Sequence, residues 1–213
     1  MKLADCLDLG AALVPAAPCL VTETTVLSYA ETQGLSRSVS SSLQACDVRA
    51  GDVVGVLSAN DPLALTCIMG ASRAGAAWAL LDPSDVDVDE LVQELSGCSV
   101  LFFRLADVEL VRQLQLRLAL PHVLVTLDGH VEGAIGWGEF LVAGLSRMAV
   151  APVGPPNALP HDDRPSDERP VFLALGPLTE ATAVRWQPVL AQGGRIVMRT
   201  SESVPAQHAR LEA

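Results

Sequence analysis

A chain of 213 residues can bury one sizeable core, and with half its residues hydrophobic but only 4% aromatic that core is built from Ala, Val and Leu. Its formal net charge of −11 repels the phosphate backbone and acidic bilayers, which excludes nucleic acid and membrane surfaces as partners. No apolar run approaches the roughly 20 residues that span a bilayer, and no basic segment leads into an apolar one at the N-terminus, so neither a span nor a signal peptide is expected.

Met1 to Ala12 reads as a short helix with Leu3, Leu7 and Leu9 on it. Val14 to Val21 holds Pro15 and Pro18 and is expected to be extended, and Thr24 to Leu27 is a strand candidate. Ser28, with Glu31 three residues on, opens a helix through a capping box that satisfies two orphan N–H groups reciprocally. Leu35, Val39, Leu43 and Cys46 give that helix one apolar stripe, while Gly34 and the serines weaken it.

The stretch from Arg49 to Pro83 is the most legible. Gly51-Asp52 turns the chain, and Val53, Val54, Val56 and Leu57 form a short apolar run of the kind found in buried parallel strands. Asn60 and Asp61 offer a helix cap, and Pro62 stands at the first helical position, where its missing N–H costs nothing. Leu63, Leu65, Ile68 and Met69 fill the helix, Gly75 ends it, and Ala77 to Leu81 make a second strand stopped by Asp82-Pro83. This is one β-α-β unit.

Asp85, Asp87, Asp89 and Glu90 cluster at a further helix start, where acidic side chains complement the helix dipole. Ser99 to Phe103 is a third strand, Asp107 to Leu118 a helix with Val108, Val111, Leu114 and Leu118 on one face, and His122 to Leu127 a fourth strand. Gly129 to Gly138 reads as loop and Phe140 to Met148 as helix. Residues 149–170 contain six prolines and a charged patch, the composition of a linker or exposed loop. Val171 to Leu175 is again a strand, Pro177 to Ala191 a helix, Gly193-Gly194 a turn and Arg195 to Arg199 a last strand, with a loose tail after Thr200. The alternation predicts an α/β fold with an open, mostly parallel sheet flanked by helices on both faces. Residues 1–148 are its core, 171–200 add a β-α-β segment to the same domain, and 201–213 are the tail.

R-A-G-D-V-V-G-V-L-S-A-N from Arg49, followed by R-A-G-A-A-W-A-L-L-D-P ending at Pro83, resembles the N-terminal subdomain of the adenylate-forming superfamily. That superfamily holds acyl- and aryl-CoA ligases, luciferases and peptide-synthetase adenylation domains. Leu27-Ser28-Tyr29-Ala30-Glu31 resembles its "L-T-Y-x-E-L" opening, and Asp89-Glu90-Leu91 with Ser96 to Leu101 resembles the helix and strand that follow. The resemblance is strong from Thr25 to Phe103, and these motifs are structural ones.

The resemblance implies ATP-dependent activation of a carboxylic acid, with a loop of the form "T-S-G-T-T-G-x-P-K-G" cradling phosphates through backbone N–H groups, hydroxyls and a Lys. No such loop occurs. Leu173 to Ala183 is nearest in position; it keeps one Gly and two Thr, has no Lys, and carries Glu180, which repels a triphosphate. In a second alignment, Leu175 to Glu180 resembles the later "l-P-L-x-H" segment and Leu190 to Met198 the "L-x-x-G-G-x-x-V" strand, with the phosphate loop deleted. No "Y-G-x-T-E" segment occurs, and the ribose-binding Asp, hinge and catalytic-Lys domain would lie past Ala213. Without cradle and Lys, the phosphoryl-transfer state has no electrostatic stabilisation.

Other constellations point to structure. Gly70-Ala71-Ser72-Arg73-Ala74-Gly75 has the glycine spacing of a P-loop but closes a helix, which suits packing and a C-cap. Asp85, Asp87 and Asp89 have the first spacing of a calcium loop, but Glu90 stands where Gly is required and Ser96 where the bidentate Glu belongs. His122, His130, His161 and His208 share no ligand spacing, no G-x-S-x-G elbow occurs, and Trp78, Trp137 and Trp186 suit a core or its rim. The five cysteines are scattered without C-x-x-C spacing, and Cys46 and Cys67 fall on apolar helical faces, as in a reducing cytoplasm.

No catalytic, cofactor-binding or metal residue is therefore expected, and no ATP binding. Two functional readings follow: a degenerate, non-catalytic relative of these ligases that acts by association, as a homodimer or with another protein, or one half of a split ligase completed by another chain.

Overall fold

The computed structural model describes residues 1–84, 87–118, 123–148, 168–174 and 178–199. Helix α1 (Leu3–Leu13) leads into an antiparallel pair, β1 (Pro18–Val21) and β2 (Val26–Ser28). Thr22 shapes the connection: its Oγ1 accepts from the N–H of Thr25 at 3.0 Å and of Thr24 at 3.3 Å. Helix α2 (Tyr29–Ala45) begins at the expected capping box, with Ser28 N–H donating to Glu31 Oε2 at 2.8 Å and Glu31 N–H to Ser28 Oγ at 3.3 Å.

β3 (Val53–Leu57), α3 (Pro62–Ala74) and β4 (Ala77–Leu81) are the expected β-α-β unit. Asp61 caps α3 through Oδ1, which accepts from Leu63 N–H at 2.6 Å and Ala64 N–H at 3.3 Å. Gly75 ends it at φ +81°, a left-handed conformation that costs a glycine nothing. α4 (Val88–Glu94), β5 (Cys98–Phe103), α5 (Val108–Arg117) and β6 (Val123–Thr126) follow.

The 129–138 stretch departs from the expected loop. Ile135 and Gly136 pair with Val125 and Thr126 as β7 (Ile135–Gly136), and α6 (Trp137–Met148) starts directly after it, three residues before Phe140. Two residues that pair across a sheet carry no periodic signal of their own. β8 (Val171–Ala174), α7 (Glu180–Ala191) and β9 (Arg195–Met198) complete the described elements. Residues 149–167 of the expected linker, residues 175–177 before α7, and the expected tail lie outside the described residues.

The fold is α/β and mostly parallel, but its strands divide between two sheets. The five-stranded sheet has the order β4-β3-β5-β6-β7 and is wholly parallel. The four-stranded sheet has the order β2-β1-β9-β8 and is parallel except at β1–β2. Strand alternation sorts the first sheet's side chains. Val54, Val56, Val100, Phe102 and Val125 face the larger core, shared with α1, α2, α3 and α7, whereas Leu57, Leu101 and Phe103 meet Leu91, Leu95, Val111 and Leu114 of the α4 and α5 layer. Leu20, Ala174, Ile196 and Met198 bring the second sheet into the larger core.

Close helix contacts explain which residues sit inside. The buried side of α2 carries Thr32, Ser36, Val39, Ser40 and Leu43, not one apolar stripe, because α3 and α6 press on it from two directions. A Cβ on Gly70 would stand 2.4 Å from Val39 Cγ1, and one on Gly144 2.6 Å from the Ser42 nitrogen. The Gly70–Gly75 run is thus a packing surface and a cap. Trp186 is fully buried, and Trp137 stacks on Phe140 at 6.1 Å beside Phe102.

Tyr29 joins the two ends of the chain. Its ring is fully buried and its hydroxyl donates into a pair of carbonyl oxygens, Gly194 at 2.5 Å and Leu190 at 3.0 Å. Burial pushes its ionisation well above the ordinary range, so the phenol stays a donor.

Candidate functional site

In an open α/β sheet, ligands lie outside the carboxyl ends of the strands where the strand order reverses. Here the chain runs from β3 outward to β4 and then returns to place β5 on the other side of β3, so that point lies between β3 and β5. Asp61 follows β3 and Arg104 follows β5. The Arg104 Nη2 is hydrogen-bonded to Asp61 Oδ2, and its Nη1 reaches Asp128 Oδ2, beyond β6, at 3.2 Å. Asp128 also accepts from Leu105 N–H at 2.7 Å, and the Thr126 hydroxyl donates to its carbonyl oxygen. One guanidinium thus ties three strand ends together, while Asp61 keeps its other oxygen on the α3 N-terminus.

The rim is acidic. Burial pushes the Asp107 carboxyl up; Arg104 pulls it down, and Asp128 and Asp82 push it up again. Asp82, after β4, is turned into its own loop, accepting from Ser84 Oγ at 2.7 Å and Ser84 N–H at 3.0 Å. Ser58, at the end of β3, is buried and its hydroxyl makes no hydrogen bond among the described residues. Asn60 Oδ1 accepts from Leu178 N–H at 2.9 Å and so brings the approach to α7 onto the same rim.

That approach contains the segment expected nearest to a phosphate loop. Residues 175–177 and the side chain of Glu180 lie outside the described residues. The two threonines are described, and both serve α7: Thr182 Oγ1 accepts from Thr179 N–H at 2.9 Å and lies 3.0 Å from Thr179 O. Lys2 is the sole lysine in the sequence. It lies just before α1 and lines an open cavity of about 350 Å³ with Ser72, Trp78, Val184 and Gln187, at the amino end of β4 and away from this rim.

The calcium-like run serves a helix start. Asp87 caps α4, accepting from Asp89 N–H at 2.7 Å and Glu90 N–H at 3.0 Å, and Asp89 pairs with Arg117 at 2.7 Å. Asp85, His122, His161 and His208 lie outside the described residues, and His130 is exposed. Among the described residues, no three His, Cys, Asp or Glu side chains are placed to share a metal. Arg104 was not anticipated from the sequence. Its signal was positional: a single Arg directly after the apolar run Val100 to Phe103, with Asp82 and Asp128 directly after neighbouring strands.

The chain matches the AMP-binding enzyme family over residues 7–140. It is 32% identical over 109 residues to the AMB antimetabolite synthetase AmbE of Pseudomonas aeruginosa, a stretch that is 51% of this chain and 5% of that protein. Among solved structures, a chain from Rhodopseudomonas palustris described as a long-chain-fatty-acid CoA ligase superposes with a TM-score of 0.73 at 16% identity, over 93% of this chain and 57% of its own. Coronafacic acid ligase from Pectobacterium brasiliense superposes with a TM-score of 0.71 at 11% identity, over 95% of this chain and 46% of its own. The chain therefore spans about half the length of these solved relatives and a small part of the synthetase.

Proposed function

The chain belongs to the AMP-binding enzyme family and is an adenylate-forming-ligase-like domain; on that premise we propose that this polypeptide does not adenylate a substrate by itself and works by associating with a protein. The observation that carries this reading is the charge at the strand ends. Asp61, Asp107 and Asp128 surround one guanidinium there, already bridged to Asp61 and Asp128, Asp82 adds its charge beside Asp107, and the sole lysine of the sequence lies elsewhere. Phosphoryl transfer depends on positioning and on positive charge around the phosphates, and this rim offers a triphosphate repulsion.

The second reading, one half of a split ligase completed by another chain, is favoured by the comparison with solved ligases, which match nearly all of this chain and about half of their own. Both readings make residues 1–148 and 171–200 one domain, supported by β9 lying between β1 and β8. Both also suit a reducing cytoplasm, supported by five free cysteines, and no helix among the described residues is long and apolar enough to cross a membrane.

Exchange of radiolabelled pyrophosphate into ATP, measured over a panel of fatty, aryl and amino acids, tests the proposal. The chain alone is expected to give background exchange with every acid. Acid-dependent exchange by the purified chain refutes it, and exchange restored by a second polypeptide favours the split ligase.

A further inference from the structure

The sole lysine of the sequence stands at a cavity and not at the strand ends. Lys2, Leu3, Ser72, Trp78, Val184 and Gln187 line an open space of about 350 Å³ between the start of α1, the end of α3, the amino end of β4 and α7. That volume is at the small end of the range for small-molecule sites. Packing holds its walls. The Ala4 N–H donates to the buried Ser72 Oγ at 3.3 Å, and Arg73 donates twice to Asp8, at 2.8 and 2.6 Å, so the start of α1 is fixed on the end of α3. Trp78 packs against the larger core but is only half-buried, which leaves part of its ring to the cavity. Gln187 is half-buried, and Val184 is 76% exposed. No Asp or Glu is among the described residues that line the space, in a chain with 25 acidic and 14 basic side chains. Asp5, the nearest carboxylate along the chain, is turned to the Lys2 N–H at 2.8 Å. The Lys2 ammonium enters none of the ion pairs among the described residues.

We propose that this cavity binds a small aromatic acid, one flat ring system carrying a single carboxylate, at a site separate from the strand-end rim. Leu3, Trp78 and Val184 give the ring an apolar wall, and an indole favours a flat partner that can stack on it or meet its edge. Lys2 supplies one positive charge for the carboxylate, and the Gln187 amide a neutral donor beside it. One ammonium cannot balance a triphosphate, so the cavity is no substitute for a nucleotide cradle. Inorganic phosphate fits no better, since it has no apolar body to set against the wall. In open α/β sheets substrates lie at the carboxyl ends of the strands. This cavity is at the amino end of β4, so its occupant is a ligand held apart from any chemistry at the rim. The inference stands independently of how the protein associates.

A ligand-observed NMR titration of the purified chain, carrying no N-terminal tag, tests this with 2-naphthoate and with 2-naphthamide, which has the same shape and no charge. The naphthoate is expected to saturate with a Kd of about 0.1–1 mM, as suits a ligand of its size, and to bind about tenfold more tightly than the amide. Added salt should weaken the acid and leave the amide unchanged. Lys2→Met should abolish the preference for the acid without altering the amide, and Val184→Trp should weaken both; each substitution is at an exposed position. No saturation by naphthoate below about 10 mM overturns the proposal, as does equal affinity of the wild-type chain for acid and amide. Naphthoate binding that survives both substitutions also overturns it, because the ligand then sits elsewhere. Each of these results leaves the reading of the strand ends untouched.

Discussion

Replacing Tyr29 with Phe removes one oxygen from the centre of the molecule and asks whether the two ends of the chain fold as one body. The hydroxyl is the donor that faces the Gly194 and Leu190 carbonyl oxygens, at 2.5 and 3.0 Å, in a site with no exposed surface. Without it the ring still fills the space beside Gly10 and the Leu190 carbonyl keeps the Gly193 N–H at 3.0 Å, but the buried Gly194 carbonyl loses its donor. Leaving such a group unsatisfied costs about 1–3 kcal/mol, more than a solvent-facing hydrogen bond because no water replaces it. For a domain of this size about 2 kcal/mol lowers Tm by roughly 4–8 °C. Urea melts followed by far-ultraviolet circular dichroism and by tryptophan fluorescence should move together, with an unchanged slope. The partners lie more than 160 positions apart in the chain. A loss below about 0.5 kcal/mol, or two separated transitions, would show that residues 171–199 are not integral to the domain and refute the reasoning.

Further outcomes follow from local geometry. Gly34→Ala, on an exposed turn of α2 with open space around it, should stabilise by about 0.5–1 kcal/mol, whereas Gly70→Ala should destabilise by about 1–3 kcal/mol because its Cβ meets Val39; paired thermal melts decide. Burial raises Asp8, but hydrogen bonds from Arg73 and Gln33 and the charge of Arg73 hold it below the ordinary carboxylate range. A carboxyl depressed in the folded state stabilises above its unfolded value, about 3.9, and that contribution is lost as pH falls through the folded one. Asp8→Asn should therefore lower Tm at pH 7 and flatten the acid limb of a Tm-against-pH curve. Burial pushes the Cys19 thiol up to about 12 and that of Cys98 to about 11, and Cys6 and Cys67 are also raised by burial. Alkylation of the native protein at pH 8 should modify the half-buried Cys46 first and leave the other four until denaturant is added, as read by peptide mass spectrometry.

Much of the fold could be read where chemistry is local. Ser28 with Glu31, Asp61 before Pro62, and Gly75 act through their nearest neighbours, and each does in the structure what its type and spacing imply. What stayed hidden depends on partners far along the chain. The division into two sheets arises because β9 inserts between β1 and β8, and β7 exists only because β6 is beside it. The inner side of α2 is lined by Thr and Ser because glycines on two other helices let the backbones approach, which a stripe of Leu and Val cannot anticipate. The Arg104 bridge was not legible, since it joins the ends of three strands whose order the sequence leaves open.

The central claim is that this polypeptide, on its own, presents no seat for ATP. Titration calorimetry of the purified chain with ATP and magnesium measures that directly, at protein concentrations of tens of micromolar. The account predicts heats no larger than those of dilution. Saturable binding in the micromolar range, weakened when Arg104 is replaced by Ala, would contradict it and place a nucleotide at the rim between β3 and β5.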